Sequence, residues 1–145
     1  MRLGLDNRQV ACAKILLERI SKAKKFNNKS MMIITYKDLS MEVAKRYGIF
    51  IHYHTELGNE IGEVVHWCVS EMDKNAPFMS VIVGSPDNSY MPKKGYWGLY
   101  DDHRGKSIQP EQRDEEYIKE LNYVFEYDWS EIAEMVDKIA VARGI

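Results

Sequence analysis

The sequence has few cysteines and no long apolar run, and each shortage excludes a class of protein. Its two cysteines, Cys12 and Cys68, lie inside apolar helical patterns, which favours buried reduced thiols over a disulfide framework. No apolar run approaches the roughly 20 residues of a membrane helix, and residues 1–6 lack the apolar segment of a secretory signal. We therefore predict a cytoplasmic protein with no membrane partner.

Catalytic signatures are also missing from the chain. It contains no glycine-rich phosphate loop, no His-Glu-x-x-His motif and no Gly-x-Ser-x-Gly turn. His52 and His54 stand two residues apart, but a metal site needs three or four converging ligands, so a surface histidine pair is the simpler interpretation. We predict no catalytic residue, no cofactor and no metal.

Charge is distributed unevenly along the 145 residues, a length that suits one domain. Residues 1–100 hold 14 Lys and Arg against 10 Asp and Glu, whereas residues 101–145 hold 6 against 12. Such asymmetry is compatible with a nucleic-acid-binding part beside a part that faces a protein partner. We predict a single domain over residues 1–145, in which an acidic extension, residues 101–145, packs on a core of residues 1–100.

The order of the local patterns predicts an α+β fold. Thr35 and Asp38 form a capping box for one helix, and Thr55 is placed to cap a second helix with an apolar stripe. The apolar run 79–83, a turn rich in Gly, Pro and Asn, and the run 96–100 have the pattern of a β-hairpin. Together they predict a winged helix-turn-helix core with a β-hairpin wing. A further strand is predicted at residues 123–127, with additional C-terminal helices around it.

Three motifs resemble the winged-helix domain of alkyltransferase and alkyltransferase-like DNA repair proteins. They are Ile34-Thr35-Tyr36-Lys37-Asp38-Leu39, Leu57-Gly58-Asn59-Glu60-Ile61 and the run from Ala76 to Val83. Where that family has its catalytic Pro-Cys-His-Arg, this chain has Pro77-Phe78-Met79-Ser80. The resemblance therefore implies DNA binding without alkyl transfer, because no cysteine stands at that position.

A second likeness extends from Ile33 to Trp129. The chain is similar to a group of small bacterial and phage proteins, some of which are fused to HNH nucleases. The matching residues are Thr35, Tyr36, Leu39, Leu57, Gly58, Ile61, Cys68, Pro77, Ser80, Val83, Pro92, Gly95, Tyr96, Tyr127, Asp128 and Trp129. This likeness implies a role in phage or mobile-element defence or counter-defence.

The predicted partner is duplex DNA, bound without catalysis. In a helix-turn-helix the second helix enters the major groove, and lysines interleaved with aromatic residues suit a phosphate backbone. The predicted nucleic-acid-binding residues are Lys24, Lys25, Thr35, Tyr36, Lys37, His54, Thr55, Asn59, Tyr90, Lys93, Lys94 and Tyr96.

Two other interpretations remain open. The acidic extension has twelve carboxylates that suit docking to a basic protein, which would make the chain an interaction module or inhibitor. Alternatively, the chain is an enzyme acting on a nucleic acid or nucleotide, with its site at the turn 90–97 and His103. Asp101, Asp102 and His103 would form a nuclease centre only with further acidic partners.

Overall fold

A computed structural model describes residues 4–88, 90–92, 94–105 and 108–145 of the protein. Within these ranges the chain forms six α-helices and one sheet of two very short strands. The helices are α1 (Asn7–Lys25), α2 (Tyr36–Tyr47), α3 (Leu57–Trp67), α4 (Lys94–Arg104), α5 (Arg113–Glu126) and α6 (Ser130–Arg143), and the strands are β1 (Ile34–Thr35) and β2 (Val83–Gly84). Short 3-10 turns cover Lys29–Met32, Met79–Ile82, Pro86–Asn88 and Pro110–Gln112, and a π-helical turn, Cys68–Met72, continues α3.

Helix α1 is the centre of the core. Asp6 caps it by accepting from the backbone N–H of Gln9, whose side chain accepts in return from the Asp6 N–H. Nine of its 19 residues are buried, because α2, α3, α5 and α6 all pack against it. Cys12 and Cys68 are free and buried, as predicted, and burial raises the pKa of each thiol to about 12.

Helix α2 begins where its sequence predicts. The Thr35 hydroxyl accepts from the Asp38 N–H at 3.1 Å, which satisfies one of the free donors of the first turn. Gly48 ends the helix in the left-handed conformation, with a φ of 66°.

The winged-helix prediction is wrong, because the chain is overwhelmingly helical and the described residues contain no hairpin wing. The run 79–83 forms a buried 3-10 turn followed by β2, and β2 pairs in parallel with β1 instead of antiparallel with residues 96–100. Residues 96–100 belong to α4. Tyr96, Trp97 and Tyr100 are buried at helical spacing, and in so short an apolar run this pattern cannot be told from that of a strand.

Two further expectations about elements are also wrong. Residues 123–127 are not a strand, because α5 continues to Glu126 and buries Glu120 and Val124 on one face. Thr55 does not cap α3, which begins at Leu57 after a flanking Glu56 that makes no side-chain capping bond. None of the described helices is long and apolar enough to cross a membrane.

Candidate ligand-binding site

A pocket of about 600 Å³ lies between α3 and α4. One stripe of α3 contributes Asn59, Glu63 and His66, which stand four and then three residues apart and so share a helix face. The facing helix contributes its own stripe, and the lining is completed by the start of α2, the segment before α3 and the turn before β2. The lining residues are Tyr36, Tyr53, His54, Gly58, Asn59, Ile61, Gly62, Glu63, His66, Ser80, Gly95, Tyr96, Gly98, Leu99 and Asp102.

Five of the nine glycines in the chain have local structural reasons. Gly4 and Gly84 allow close packing, since a Cβ on Gly4 would lie 2.2 Å from the Trp67 ring and one on Gly84 would lie 1.8 Å from the Tyr90 carbonyl oxygen. The other three have positive φ, which glycine adopts most readily: Gly48, Gly105 and Gly144.

The remaining four glycines all line the pocket. They lie in α3 and α4, where glycine costs about 0.5–1 kcal/mol relative to alanine, and none has a positive φ. A Cβ built on any of them would meet nothing within 4 Å, so packing within the described chain does not require them: Gly58, Gly62, Gly95 and Gly98. Their shared effect is to leave open space between the two helices.

Two buried hydroxyl groups line the same pocket without a hydrogen-bond partner. Ser80 is 5% exposed and Tyr96 is 6% exposed, and neither side-chain oxygen has a hydrogen-bond partner among the described residues. An unsatisfied buried polar group costs roughly 1–3 kcal/mol. Burial raises the pKa of Tyr96 well above its usual value, and the nearby Glu120 carboxylate raises it further, so the phenol keeps its proton at neutral pH. Both hydroxyls are therefore buried groups, in residues that line the pocket, whose hydrogen-bonding capacity the described protein groups leave unused.

The charged groups of the pocket are carboxylates. Glu63 on α3 and Asp102 on α4 line it, both are exposed, and neither forms an ion pair within the described residues. No lysine or arginine lies among the lining residues that the structure describes. An anionic group such as phosphate would meet negative charge inside the pocket, and none of the described lining residues offers a lysine or arginine to offset it.

A histidine pair joins the two helices at one end of the pocket. The Nδ1 atom of His66 lies 3.3 Å from the Nε2 atom of His103, and the His103 ring packs edge-on against Phe78 with centroids 5.9 Å apart. Burial lowers the pKa of His103, and the neighbouring His66 lowers it further. The neutral form is thus favoured, which allows one ring nitrogen to donate to the other.

Behind α4, a buried ion pair fixes the helix to α5. Glu120 is 3% exposed and accepts from the Phe78 backbone N–H at 2.7 Å and from the Arg104 guanidinium at 2.8 Å. The same guanidinium lies 4.4 Å from the centroid of the Phe78 ring and 5.2 Å from that of Tyr100. These contacts hold the α4 wall of the pocket in place.

The structure brings together four of the residues predicted to bind nucleic acid. Tyr36, His54, Asn59 and Tyr96 come from three separate stretches of the chain, and all line the pocket. They meet across the space between α3 and α4, although Tyr36 was predicted to lie at the start of the first helix of a helix-turn-helix, His54 and Asn59 at its recognition helix and Tyr96 on a wing.

The other predicted residues lie elsewhere. Thr35 and Tyr90 line a second cavity, of about 960 Å³, beside Asp38 and Glu42. Lys24 donates to the Tyr127 carbonyl, and the Lys25 ammonium lies 6.0 Å from the Phe26 ring centroid at the end of α1. Lys37 and Thr55 are exposed and line neither space, whereas Lys93 and the side chain of Lys94 lie outside the described residues.

Sequence reasoning missed several lining residues as site residues. Glu63 looks like an ordinary solvated charge, Asp102 was considered only for a nuclease centre with Asp101 and His103, and Ser80 lies in an apolar run typical of a core. The available signal was glycine spacing, since Gly58 and Gly62 are four residues apart and Gly95 and Gly98 are three apart. Glycines three or four residues apart lie on the same face of a helix. This spacing predicts the pocket only if residues 94–104 are recognised as a helix.

The structure also bears on the two alternative interpretations. In the described part of the chain, no three His, Cys, Asp or Glu side chains are grouped so as to hold a metal ion. The acidic extension is partly neutralised within the molecule, because five of its carboxylates form ion pairs: Glu115, Glu116, Glu120, Glu134 and Asp137.

The fold and the site together define a helical protein with a glycine-lined pocket of small-molecule size. No protein-family model matches the sequence, and searches of curated proteins and of solved structures found no significant match.

Proposed function

We propose that this protein binds a nucleobase, or a ligand of nucleobase type, in the pocket between α3 and α4. The observation that supports the proposal most directly is the set of four helix glycines that line this pocket without a packing reason. The pocket volume of about 600 Å³ falls within the roughly 300–1,000 Å³ of small-molecule sites.

The chemistry of the lining favours a planar, uncharged ligand that forms hydrogen bonds. Three tyrosines line the pocket, Tyr36, Tyr53 and Tyr96, and the partly exposed Tyr53 ring supplies aromatic surface on which a base can stack. The Asn59 amide can donate and accept at once, which suits the edge of a base. Because the described lining lacks lysine and arginine, a phosphate belongs outside the pocket.

A nucleic acid can supply such a base only when that base is unstacked. In a duplex the base edges are paired, and extracting one costs a few kcal/mol. We therefore expect a single strand or a free nucleoside to be preferred over an intact duplex. This expectation refines the predicted DNA partner, because contacts with phosphates would add affinity without entering the pocket.

The test uses the full chain and compares free nucleosides, a single-stranded oligonucleotide and the matching duplex. Calorimetry follows the nucleosides, and fluorescence anisotropy follows labelled strands at about 50 and 200 mM salt. Binding of a nucleoside that is insensitive to salt places the recognition in the pocket. If only strands bind, and binding falls steeply with salt, affinity comes from phosphate contacts and the pocket proposal is wrong.

Two variants are designed to fill the pocket from positions where an added Cβ meets no neighbouring atom. Gly62→Leu and Gly98→Leu add a side chain where nothing lies within 4 Å of the new Cβ, and leucine favours helix over glycine. We expect nucleoside affinity to fall roughly tenfold or more, a loss of about 1.4 kcal/mol. Ala142→Leu is the control, because Ala142 is an exposed α6 residue outside the pocket. Equal binding by all three variants would contradict the proposal.

A further inference from the structure

The histidine pair joins the two helices that form the pocket. His66 lies on α3 and lines the pocket, and His103 lies on α4. Their facing nitrogens, Nδ1 of His66 and Nε2 of His103, are 3.3 Å apart, and the ring planes are tilted by 43°. The His103 ring also packs edge-on against Phe78, which helps to fix its position. The pair is therefore a direct hydrogen-bonded contact between two walls of the pocket.

This contact depends on the protons that the two rings carry. A hydrogen bond between imidazoles needs one nitrogen that donates and one that accepts, and a neutral imidazole supplies both. The bond forms when both rings are neutral, and it can still form when one of them is protonated. When both are protonated, every ring nitrogen is a donor, so no acceptor remains and two positive charges face each other. Double protonation thus turns an attraction into a repulsion.

We propose that the histidine pair is a pH-sensitive contact, which holds α4 against α3 at neutral pH and releases it when both rings are protonated. The contact acts on the helices themselves, so this property holds whatever ligand the pocket binds. On the other side of α4, the Arg104–Glu120 pair and the bond from the Tyr100 hydroxyl to Glu116 contain no histidine. Release in mild acid therefore separates α4 from α3 while α4 stays attached to α5.

The charged groups around His103 come from three helices. Burial lowers the pKa of His103, the His66 ring on α3 lowers it further, and Arg104 on α4 adds to the effect. Asp102, also on α4, acts in the opposite direction. From α5, Glu120 pairs with Arg104 at 2.8 Å, which offsets part of that positive charge. The net result is a lowered pKa, so the folded protein disfavours the charged form of this ring.

The acidic groups near His66 come from both walls of the pocket. Glu63 stands three residues earlier on the same face of α3, and Asp102 lies on α4. Both carboxylates are exposed, so water weakens their attraction for a charged His66 ring.

The sign of the pH effect follows from the lowered pKa of His103. The unfolded chain takes up a proton near the ordinary histidine pKa of about 6.5, whereas the folded chain takes it up at this ring only at lower pH. The stability that the contact contributes is therefore complete above about pH 6.5 and falls as the pH drops below that value.

Hydrogen exchange of the full wild-type chain tests the proposal without any substitution. Mass spectrometry follows α1 and α4 at about pH 7.5 and about pH 5.5, on either side of the ordinary histidine pKa. Rates are expressed as protection factors, which removes the intrinsic effect of pH on exchange. We expect the protection factor of α4 to fall roughly threefold or more at the lower pH, and that of α1 to change less. Equal changes in the two helices, or no change in α4, would overturn the proposal.

Variants that do not titrate assign the effect to the pair. His66→Asn and His103→Gln place amide groups near the Nδ1 and Nε2 positions, so the double variant keeps a donor and an acceptor but takes up no proton. Its α4 protection should be the same at both pH values. His52→Gln is the matched control, because His52 is an exposed histidine outside the pocket lining, and it should keep the wild-type fall. A fall in the double variant equal to that in wild type would mean that other groups cause it and that the proposal is wrong.

A nuclear magnetic resonance titration covers the case in which the double variant fails to fold. It follows the His103 ring signals against pH in wild type and in the single variant His66→Asn. Because His66 lowers the pKa of His103, its removal should raise the titration midpoint of His103. An unchanged midpoint would mean that the two rings do not act on each other, which contradicts the proposal.

Discussion

At the scale of single residues, Glu120 is the buried charge on which the most contacts converge. It accepts from the Phe78 backbone and from Arg104, and its side chain is only 4% exposed against 28% for that of Arg104. Replacing one member of a buried pair leaves the other charge without its partner, which is far more costly than breaking a surface pair. Glu120 therefore determines how firmly α4 is held against α5.

We predict that Glu120→Gln lowers the free energy of unfolding by about 2–3 kcal/mol. This value lies below the usual 3–5 kcal/mol because Arg104 is partly hydrated and glutamine keeps one accepting oxygen. Urea unfolding followed by circular dichroism measures the change. Glu134→Gln is the control, because its pair with Lys138 is exposed at both ends, and it should change stability by less than about 0.5 kcal/mol. Similar losses in the two variants would argue against the buried pair.

At the scale of elements, two predicted helix caps had different outcomes: the cap at Thr35 is confirmed and the cap at Thr55 is wrong. Thr35 and Thr55 look alike in the sequence, since each precedes an apolar helical stripe. Only Thr35 accepts from a backbone N–H of the helix that it precedes, whereas Thr55 is exposed and stands before Glu56, which flanks α3. A capping residue type is therefore not sufficient, because the backbone must also turn into the helix at that residue.

The two threonines can be distinguished by the same substitution. Thr35→Ala should lower the free energy of unfolding by about 1 kcal/mol, because it removes a capping hydrogen bond. Thr55→Ala should change it by less than about 0.5 kcal/mol, as is usual at an exposed site without such a contact. Both values come from urea unfolding under identical conditions. A loss at Thr55 equal to that at Thr35 would mean that α3 begins earlier than Leu57.

The local signal at Thr35 predicted the start of α2 well, because helix caps depend on neighbouring residues. The Asp6 box, the Thr35 cap and the positive φ of Gly48 all act within four residues. The second half of the fold depends on distant contacts. Residues 96–100 are helical because Tyr96 and Tyr100 pack against Phe78, which lies about 20 residues earlier. A short apolar run does not by itself distinguish a helix from a strand. The hairpin prediction was therefore wrong, and the pocket between α3 and α4 was not predicted.

At the scale of the whole molecule, the core links every helix to at least one partner. Helix α1 packs against α2, α3, α5 and α6, and α4 is joined to α3 by packing and to α5 by the Arg104–Glu120 pair. The three tryptophans lie in different parts of this core, so their fluorescence reports on each part separately. Trp67 ends α3, Trp97 lies in α4, and the Trp129 indole donates to the Val124 carbonyl just before α6.

We expect the chain to unfold as one cooperative unit, as is usual below about 150 residues. The test uses three variants that each keep one tryptophan and carry phenylalanine at the other two positions. The two signals are compared within each variant, so a loss of stability caused by the substitutions does not affect the comparison. In each variant, the urea midpoint from tryptophan fluorescence should coincide with the midpoint from helical circular dichroism. If the Trp97 signal is lost at lower urea than the helical signal, α4 opens before the core does. The pocket would then have one mobile wall. Because a bound nucleoside stabilises only the closed form, it should bring the Trp97 fluorescence midpoint back to the circular dichroism midpoint.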